Sequence, residues 1–376
     1  MHEEQLDLLN YVPTLPPGTR LRPYQADAVE KVRESLRLGW HPVLSMPTGS
    51  GKSIALAALC DALEGRILVA THRKELLAQD ASQLEAYGDV GTDYGIYSAG
   101  LGRREDAARV IFCGLVSIYR RMEQLQAVGA FAYVIVDEAH LVQPRGSKNG
   151  TSMYASVFRA CPTAQRIGLS ATCYRLDDGL LHEGEDAWFD CMPVHIGIRE
   201  LTPTYLSPLV GVLTAHDIDT SHVRTRMGEF NQGDLSQAAC EEDAITGAVE
   251  EVLVLARDRK KWLIFCVDIE HTKLVMHALQ QKGITCQMVT GGTPKEERAQ
   301  RLQDFRDGKF KAMANCEIYT TGMDIPDIDC IVMLRPTQSK SLAVQMLGRG
   351  TRQAQFKKDC LVLDFSGSIE RHAPLD

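Results

Sequence analysis

The segment that most limits how this chain can fold is PVLSMPTGSGKSIALAALCDAL, residues 42–63. An apolar run gives way to a glycine loop, which opens directly into a helical stretch whose first residues are Lys52 and Ser53. Strand, tight loop and helix N-terminus in that order are how a parallel sheet presents backbone N–H groups to phosphate. Thr48, Gly49, Ser50 and Gly51 form the loop. Gly49 and Gly51 let its N–H groups turn toward phosphate oxygens, Lys52 supplies charge at the β- and γ-phosphates, and Ser53 offers a hydroxyl to Mg²⁺. The strict pattern has glycine where Met46 stands. Taken alone, the segment is also compatible with a Gly/Ser turn before a helix that happens to carry a lysine.

A second segment narrows the choice. VIVDEAH, residues 134–140, ends an apolar strand in two carboxylates and a histidine, at the edge where open α/β sheets bind ligands. Asp137 is expected to hold Mg²⁺ through water, Glu138 to orient and deprotonate an attacking water, and His140 to couple the site to a neighbouring lobe. An acidic strand end by itself is more often a solvated loop. Downstream of a Gly-Lys-Ser loop it becomes the other half of a nucleotide site.

The alternation that frames both segments runs along the chain. VLSMP, ILVAT, VIFCG, YVIVDE and RIGLSAT read as buried strands, with SIALAALCDAL and RKELLAQDASQLEAY as helices between them. From Arg175 to Gly233 the pattern loosens into Gly-, Pro- and Asp-rich sequence, read as a linker with a small insert. A helix near Ala244–Ala256 follows, then the strands WLIFCV, TCQMV, KAMANC, CIVML and CLVLDF. The expected fold class is α/β, with two tandem domains of parallel sheet and flanking helices. Their expected limits are an extension at 1–18, a first domain at 19–200, a linker or insert at 201–237 and a second domain at 238–376. At 44% hydrophobic and 24% charged residues, the chain has core enough for both.

Composition removes other classes. The start, MHEEQLDLLNYVP, is acidic and interrupted by Asp7 and Asn10, unlike a signal peptide, and no stretch reads as a membrane span. Eleven cysteines without a C-x-x-C pair point to a reducing cytoplasm and to no structural zinc.

With these motifs in order, the chain resembles the DEAH-box helicases of superfamily 2. LRPYQ (Leu21–Gln25) looks like the segment that reads adenine, with Gln25 on the base and Arg22 or Tyr24 near the ring. ATHRKEL (Ala70–Leu76) looks like motif Ia on the nucleic-acid path, and SAT (Ser170–Thr172) like motif III, where Ser170 and Thr172 link hydrolysis to lobe movement. In the second half, Leu263–Val275 resembles motif IV, TTGMDIP (Thr320–Pro326) motif V with Gly322 and Asp324 at the nucleotide, and QMLGRGTR (Gln345–Arg352) motif VI. The resemblance implies two RecA-like domains, ATP with Mg²⁺ as cofactors, Arg349 and Arg352 as arginine fingers and Gln345 near the γ-phosphate. Charge that builds on phosphoryl oxygens is what a planar guanidinium neutralises. Alone, each arginine reads as a surface salt bridge.

Within the superfamily, FDCMPVHIGIRELTP, TTGMDIPDIDCIVMLRPTQSKSL and CLVLDFSGS are similar to the RadD-like (YejH-like) bacterial DNA repair ATPases. Members of that group carry a long cysteine-rich C-terminal region; the sequence ends at Asp376 without one, so the resemblance carries over the motor and not an accessory zinc module. They commonly have cysteine where Ala139 stands.

A motor of this kind grips one sugar–phosphate backbone largely without base readout. Expected contacts are Thr71, His72, Arg73, Gly114 and Ser117 in the first domain, and Thr290, Gly291 and Thr320 in the second. Arg103–Arg104 and Arg120–Arg121 could add charge but read locally as solvated faces. A net charge of −8 argues against nucleic acid for the whole chain, yet a local groove with backbone N–H donors suffices. Aromatics, at 6%, form no stacking pattern, so only the resemblance favours single-stranded or branched DNA over RNA as partner. The same features leave open an ATP-gated clamp without unwinding, an RNA helicase, or the motor subunit of a restriction or phage-defence complex with its own protein partners. No membrane partner is expected.

Overall fold

Strand residues sort onto two faces with period two. In β2 (Ile67–Thr71), Ile67 and Val69 enter one apolar cluster while Leu68 and Ala70 enter a second on the opposite face of the sheet. In β12 (Trp262–Cys266), Trp262, Ile264 and Cys266 point one way and Leu263 and Phe265 the other. Strands buried on both faces read as unbroken apolar runs, and such runs belong to parallel sheets covered by helices on each side. The structure is a computed structural model that describes residues 21–72, 77, 80–81, 83–85, 93–145, 152–174, 179–226, 228–316 and 325–373. It forms two compact units that divide between Gly197 and Ile198.

The first unit holds an eight-stranded sheet. Its strands are β1 (Pro42–Ser45), β2, β3 (Tyr94–Ser98), β4 (Arg103–Arg104), β5 (Val110–Gly114), β6 (Tyr133–Asp137), β7 (Gln165–Ser170) and β8 (Cys191–His195), in the order β4-β3-β5-β2-β6-β7-β1-β8. Only β4 runs antiparallel to its neighbour. Helix α1 (Pro23–Arg37) presents Ala28, Val29, Val32 and Leu36 to the core and packs on β1 and β8, while α2 (Lys52–Ala62) follows β1.

The second unit holds six parallel strands: β9 (Leu209–Val212), β12, β13 (Cys286–Val289), β14 (Ala312–Asn315), β15 (Cys330–Leu334) and β16 (Cys360–Asp364), ordered β13-β14-β12-β15-β16-β9. A short hairpin, β10 (Thr225–Arg226) and β11 (Glu229–Phe230), lies outside the sheet. Helices α3 (Glu242–Leu255), α4 (Ile269–Gln281) and α5 (Lys340–Leu347) cover it.

The stretch read as linker and insert is more ordered than its composition suggests. It supplies β8 to the first sheet, beside β1, and β9 to the second, beside β16. Both are edge strands; only Val194 of β8 is fully buried and no residue of β9 is, so neither shows the apolar run that marks a central strand. β3 also escapes such a reading, because Gly95 interrupts it. A Cβ there would lie 2.9 Å from the backbone oxygen of Glu105.

Candidate nucleotide site

The loop between β1 and α2 is held in shape by its carbonyls. The Ser50 carbonyl accepts from Tyr24 Oη at 2.6 Å and from Gln25 Nε2 at 2.9 Å, while Ser50 Oγ donates to the Pro47 carbonyl at 2.6 Å. Carbonyls tied back in this way cannot face a phosphate, which leaves the loop N–H groups to do so. Gly49 and Gly51 take left-handed conformations, φ 87° and 84°. At Gly51 a Cβ would fall 2.4 Å from Gln25 Nε2, so glycine is required by closeness as well as by φ. Met46 lies fully buried in the core cluster, which is why glycine is dispensable at that position. Gln25, read as an adenine contact, is buried and bonded at both ends, since its Oε1 also accepts the Arg22 N–H at 2.9 Å. Bracing the loop is the role its geometry displays.

Asp137 closes β6, and Glu138 follows in a left-handed conformation, φ 56° and ψ 50°. For a residue with a side chain that conformation costs roughly 1–2 kcal/mol, and strain of this kind gathers at functional sites. A third carboxylate, Asp80, belongs to the same group. It is 1% exposed, and neither of its oxygens has an aligned hydrogen bond among the described residues, although the Ser53 side chain lies close enough to favour its charge in part. Burial, then the negative charge of Glu138, push its pKa up to about 6 against the help of Ser53 and Lys52. Asp137 is held well above the carboxylate range by burial first and by Glu138 and Asp80 next. Two buried acids, Asp80 and Asp137, and the partly buried Glu138 gather beside Lys52 and the Ser53 hydroxyl, a site rich in carboxylate and hydroxyl oxygens. That donor set fits Mg²⁺. Among the described residues no three His, Cys, Asp or Glu side chains converge as a metal cage.

Asp80 is absent from the motifs, but its position was readable. Leu77, Ala81 and Leu84 are buried at i, i+4 and i+7, and Asp80 occupies i+3 of the same stripe. A carboxylate on the apolar face of a helix is the anomaly that marks it.

His140 joins the acids to the end of β7. Its Nδ1 lies 3.0 Å from Ser170 Oγ and 3.4 Å from Glu138 Oε2, and the Thr172 N–H donates to Ser170 Oγ at 3.2 Å. Burial holds the His140 ring below the usual histidine range, with Glu138 opposing and Lys52 adding to the effect. The coupling residues named from sequence, His140, Ser170 and Thr172, thus form one connected chain with Glu138.

The remaining sequence candidates fall on two edges. Thr71 and Gly114 are paired partners at the carboxyl ends of β2 and β5, Ser117 accepts the Ala99 N–H at 3.0 Å beside them, and exposed His72 follows Thr71. The Thr71 hydroxyl is buried and has no hydrogen-bond partner among the described residues. In the second unit, Thr290 and exposed Gly291 follow β13, with the Thr290 N–H bonded to Thr293 Oγ1 at 3.0 Å. Gln345 is buried on α5, with Arg349 just past its end and Arg352 three residues on. Arg103 is paired with Glu105 at 2.8 Å and exposed, a solvated face. Arg73, Thr320, Gly322 and Asp324 lie outside the described residues, as does the expected extension at 1–18.

The family profile described as "Type III restriction enzyme, res subunit" matches residues 18–175, and that of the helicase conserved C-terminal domain matches 245–354. A putative ATP-dependent helicase, IRC3 of Saccharomyces cerevisiae, is 29% identical over 368 residues, 93% of this chain and 52% of its own length. The endonuclease subunit of the type I restriction enzyme EcoAI from Escherichia coli is 25% identical over 95% of this chain and 47% of its own. The chain therefore spans about half the length of these relatives. Among solved structures, a fragment of a putative HsdR subunit of a type I restriction enzyme from Vibrio vulnificus superposes over 100% of this chain and 69% of its own, with TM-score 0.69 at 20% identity. That likeness establishes the fold: two RecA-like domains.

Proposed function

The chain belongs to the superfamily 2 helicases, and from that premise we propose that it hydrolyses ATP with Mg²⁺ and couples the reaction to translocation on, or remodelling of, DNA. The observation that carries this reading is the group of carboxylates, buried Asp80 and Asp137 and partly buried Glu138, set against Lys52 and Ser53 at the phosphate loop. Bound Mg²⁺ supplies charge to the phosphate oxygens and lowers the barrier to their displacement. The loop N–H groups and Lys52 bind phosphate, Ser53 and Asp137 hold the ion, and Glu138 accepts a proton from the attacking water. His140, bonded to Ser170, carries the protonation and position of Glu138 to the end of β7. We assign Arg349, Arg352 and Gln345 to the charge that develops on the γ-phosphate.

DNA as partner draws support from the restriction-enzyme relatives and from the uncharged contact edge at Thr71, Gly114 and Ser117, which suits backbone binding without base readout. We infer a role in DNA repair from the RadD-like resemblance of the segments after SAT and around CLVLDF. A second reading, the motor of a restriction or defence complex, is favoured by the profile matched at residues 18–175. ATP turnover across single-stranded, duplex and forked DNA and RNA tests the main reading. Stimulation by DNA, abolished in Lys52→Ala, is expected; a pure preparation without turnover on any of them overturns it. Co-purification with a nuclease or methylase favours the second reading.

A further inference from the structure

The loop after α5, which carries Arg349 and Arg352, is organised around another cation. Lys357 Nζ donates to the carbonyls of Gly350 at 2.7 Å, Arg352 at 2.8 Å and Pro326 at 3.1 Å. An ammonium has three N–H groups, and each has one carbonyl here. The same loop is fixed from other sides: the Thr351 carbonyl accepts the Ser207 N–H at 2.6 Å, and the Thr351 hydroxyl donates to Gly348 at 3.0 Å. Gly350 packs so closely on β16 that a Cβ would lie 2.6 Å from Cys360 Sγ. The chain turns Lys357 inward through Phe356, which is left-handed at φ 67° although its side chain is 84% exposed. That conformation costs roughly 1–2 kcal/mol, and almost no burial of the ring offsets it. Strain retained beside a fully bonded cation marks a constrained position.

We propose that Lys357 is a positioning residue for ATP hydrolysis: it locks the backbone at Gly350 and Arg352 and ties it to Pro326, so that Arg349 and Arg352 are presented in a single arrangement. The inference rests on the ATPase reading above. Burial lowers the Lys357 pKa to about 8, with Cys360, Asp329 and Asp327 opposing and Arg352 adding to the shift. Cys360 itself is pushed up to about 12, chiefly by burial, so at pH 8 the anions facing the lysine are Asp327 and Asp329. A neutral amine has two N–H groups, so deprotonation releases at least one of the three carbonyls. Between about 8 and the ordinary 10.5 the unfolded chain binds more protons than the folded one, so this group makes stability rise with pH in that window. An alkaline fall in turnover from this lysine is therefore separate from unfolding.

The test compares the parent with Lys357→Met and Lys357→Arg. It follows turnover from about pH 7 to about pH 9.5, equilibrium affinity for a fluorescent ADP, and amide hydrogen exchange over 348–357. The Met variant should lose about tenfold in kcat near pH 7, keep its ADP affinity within about twofold, and exchange faster at residues 350–352. The Arg variant should recover part of kcat and lack the decline near pH 8 that the parent shows. Parent-like kcat in the Met variant, a loss matched by weaker ADP binding, or unchanged exchange at 350–352 overturns the inference. Should the Met variant fail to fold, an Arg variant that declines near pH 8 as the parent does overturns it. A parent without turnover defeats the ATPase reading instead, and the exchange arm then decides Lys357 by itself.

Discussion

Asp80 illustrates how a single side chain can carry information that motif matching misses. It is a buried acid among acids, and its folded pKa, about 6, lies above the ordinary 3.8. The folded chain thus binds more protons than the unfolded one between those values. The stability this group lends is fully present below about pH 4 and is lost as the pH rises through about 6. Asp80→Asn removes the charge, so in metal-free buffer at pH 7 the variant should melt higher than the parent, by on the order of 2 kcal/mol in stability. Below pH 4 the two should converge. Equal melting temperatures at pH 7 would show that Asp80 is satisfied in a way the buried, unaligned oxygens do not suggest. Met46 gives the opposite lesson: where the strict motif has glycine, this chain sets a side chain into the apolar core.

At the scale of elements, the central strands and the phosphate loop were legible because burial on both faces writes an unbroken apolar run, and because glycine has few substitutes at φ near 85°. The edges were not. β8 and β9 came from sequence read as linker, since a strand buried on one side beside Pro- and Gly-rich text has no periodicity to show. Contacts between elements were legible only as a list of names: sequence placed His140 in one motif and Ser170 and Thr172 in another, and folding joins them through Ser170 Oγ across the ends of β6 and β7. A hydrogen bond of this kind contributes about 1 kcal/mol. Ser170→Ala should therefore leave turnover without nucleic acid near the parent rate while lowering DNA-stimulated turnover about fivefold. Equal loss in both conditions would assign Ser170 to the chemistry and not to coupling.

For the whole molecule, two units of parallel sheet share a layout but divide the work, with the phosphate loop and acids on the first and the arginine loop, held by Lys357, on the second. A net charge of −8 is compatible with the proposed nucleic-acid motor because, of the residues expected to contact backbone, only His72 and Arg73 carry titratable groups, while Thr71, Gly114, Ser117, Thr290, Gly291 and Thr320 offer neutral ones. The central claim is that this chain hydrolyses ATP with Glu138 as the base. Its most direct test is Glu138→Gln measured twice, for equilibrium binding of a fluorescent ATP and for turnover with DNA. With Glu138 as the base, the variant binds ATP as the parent does and turns it over at least about 100-fold more slowly; turnover at the parent rate rules Glu138 out as the base.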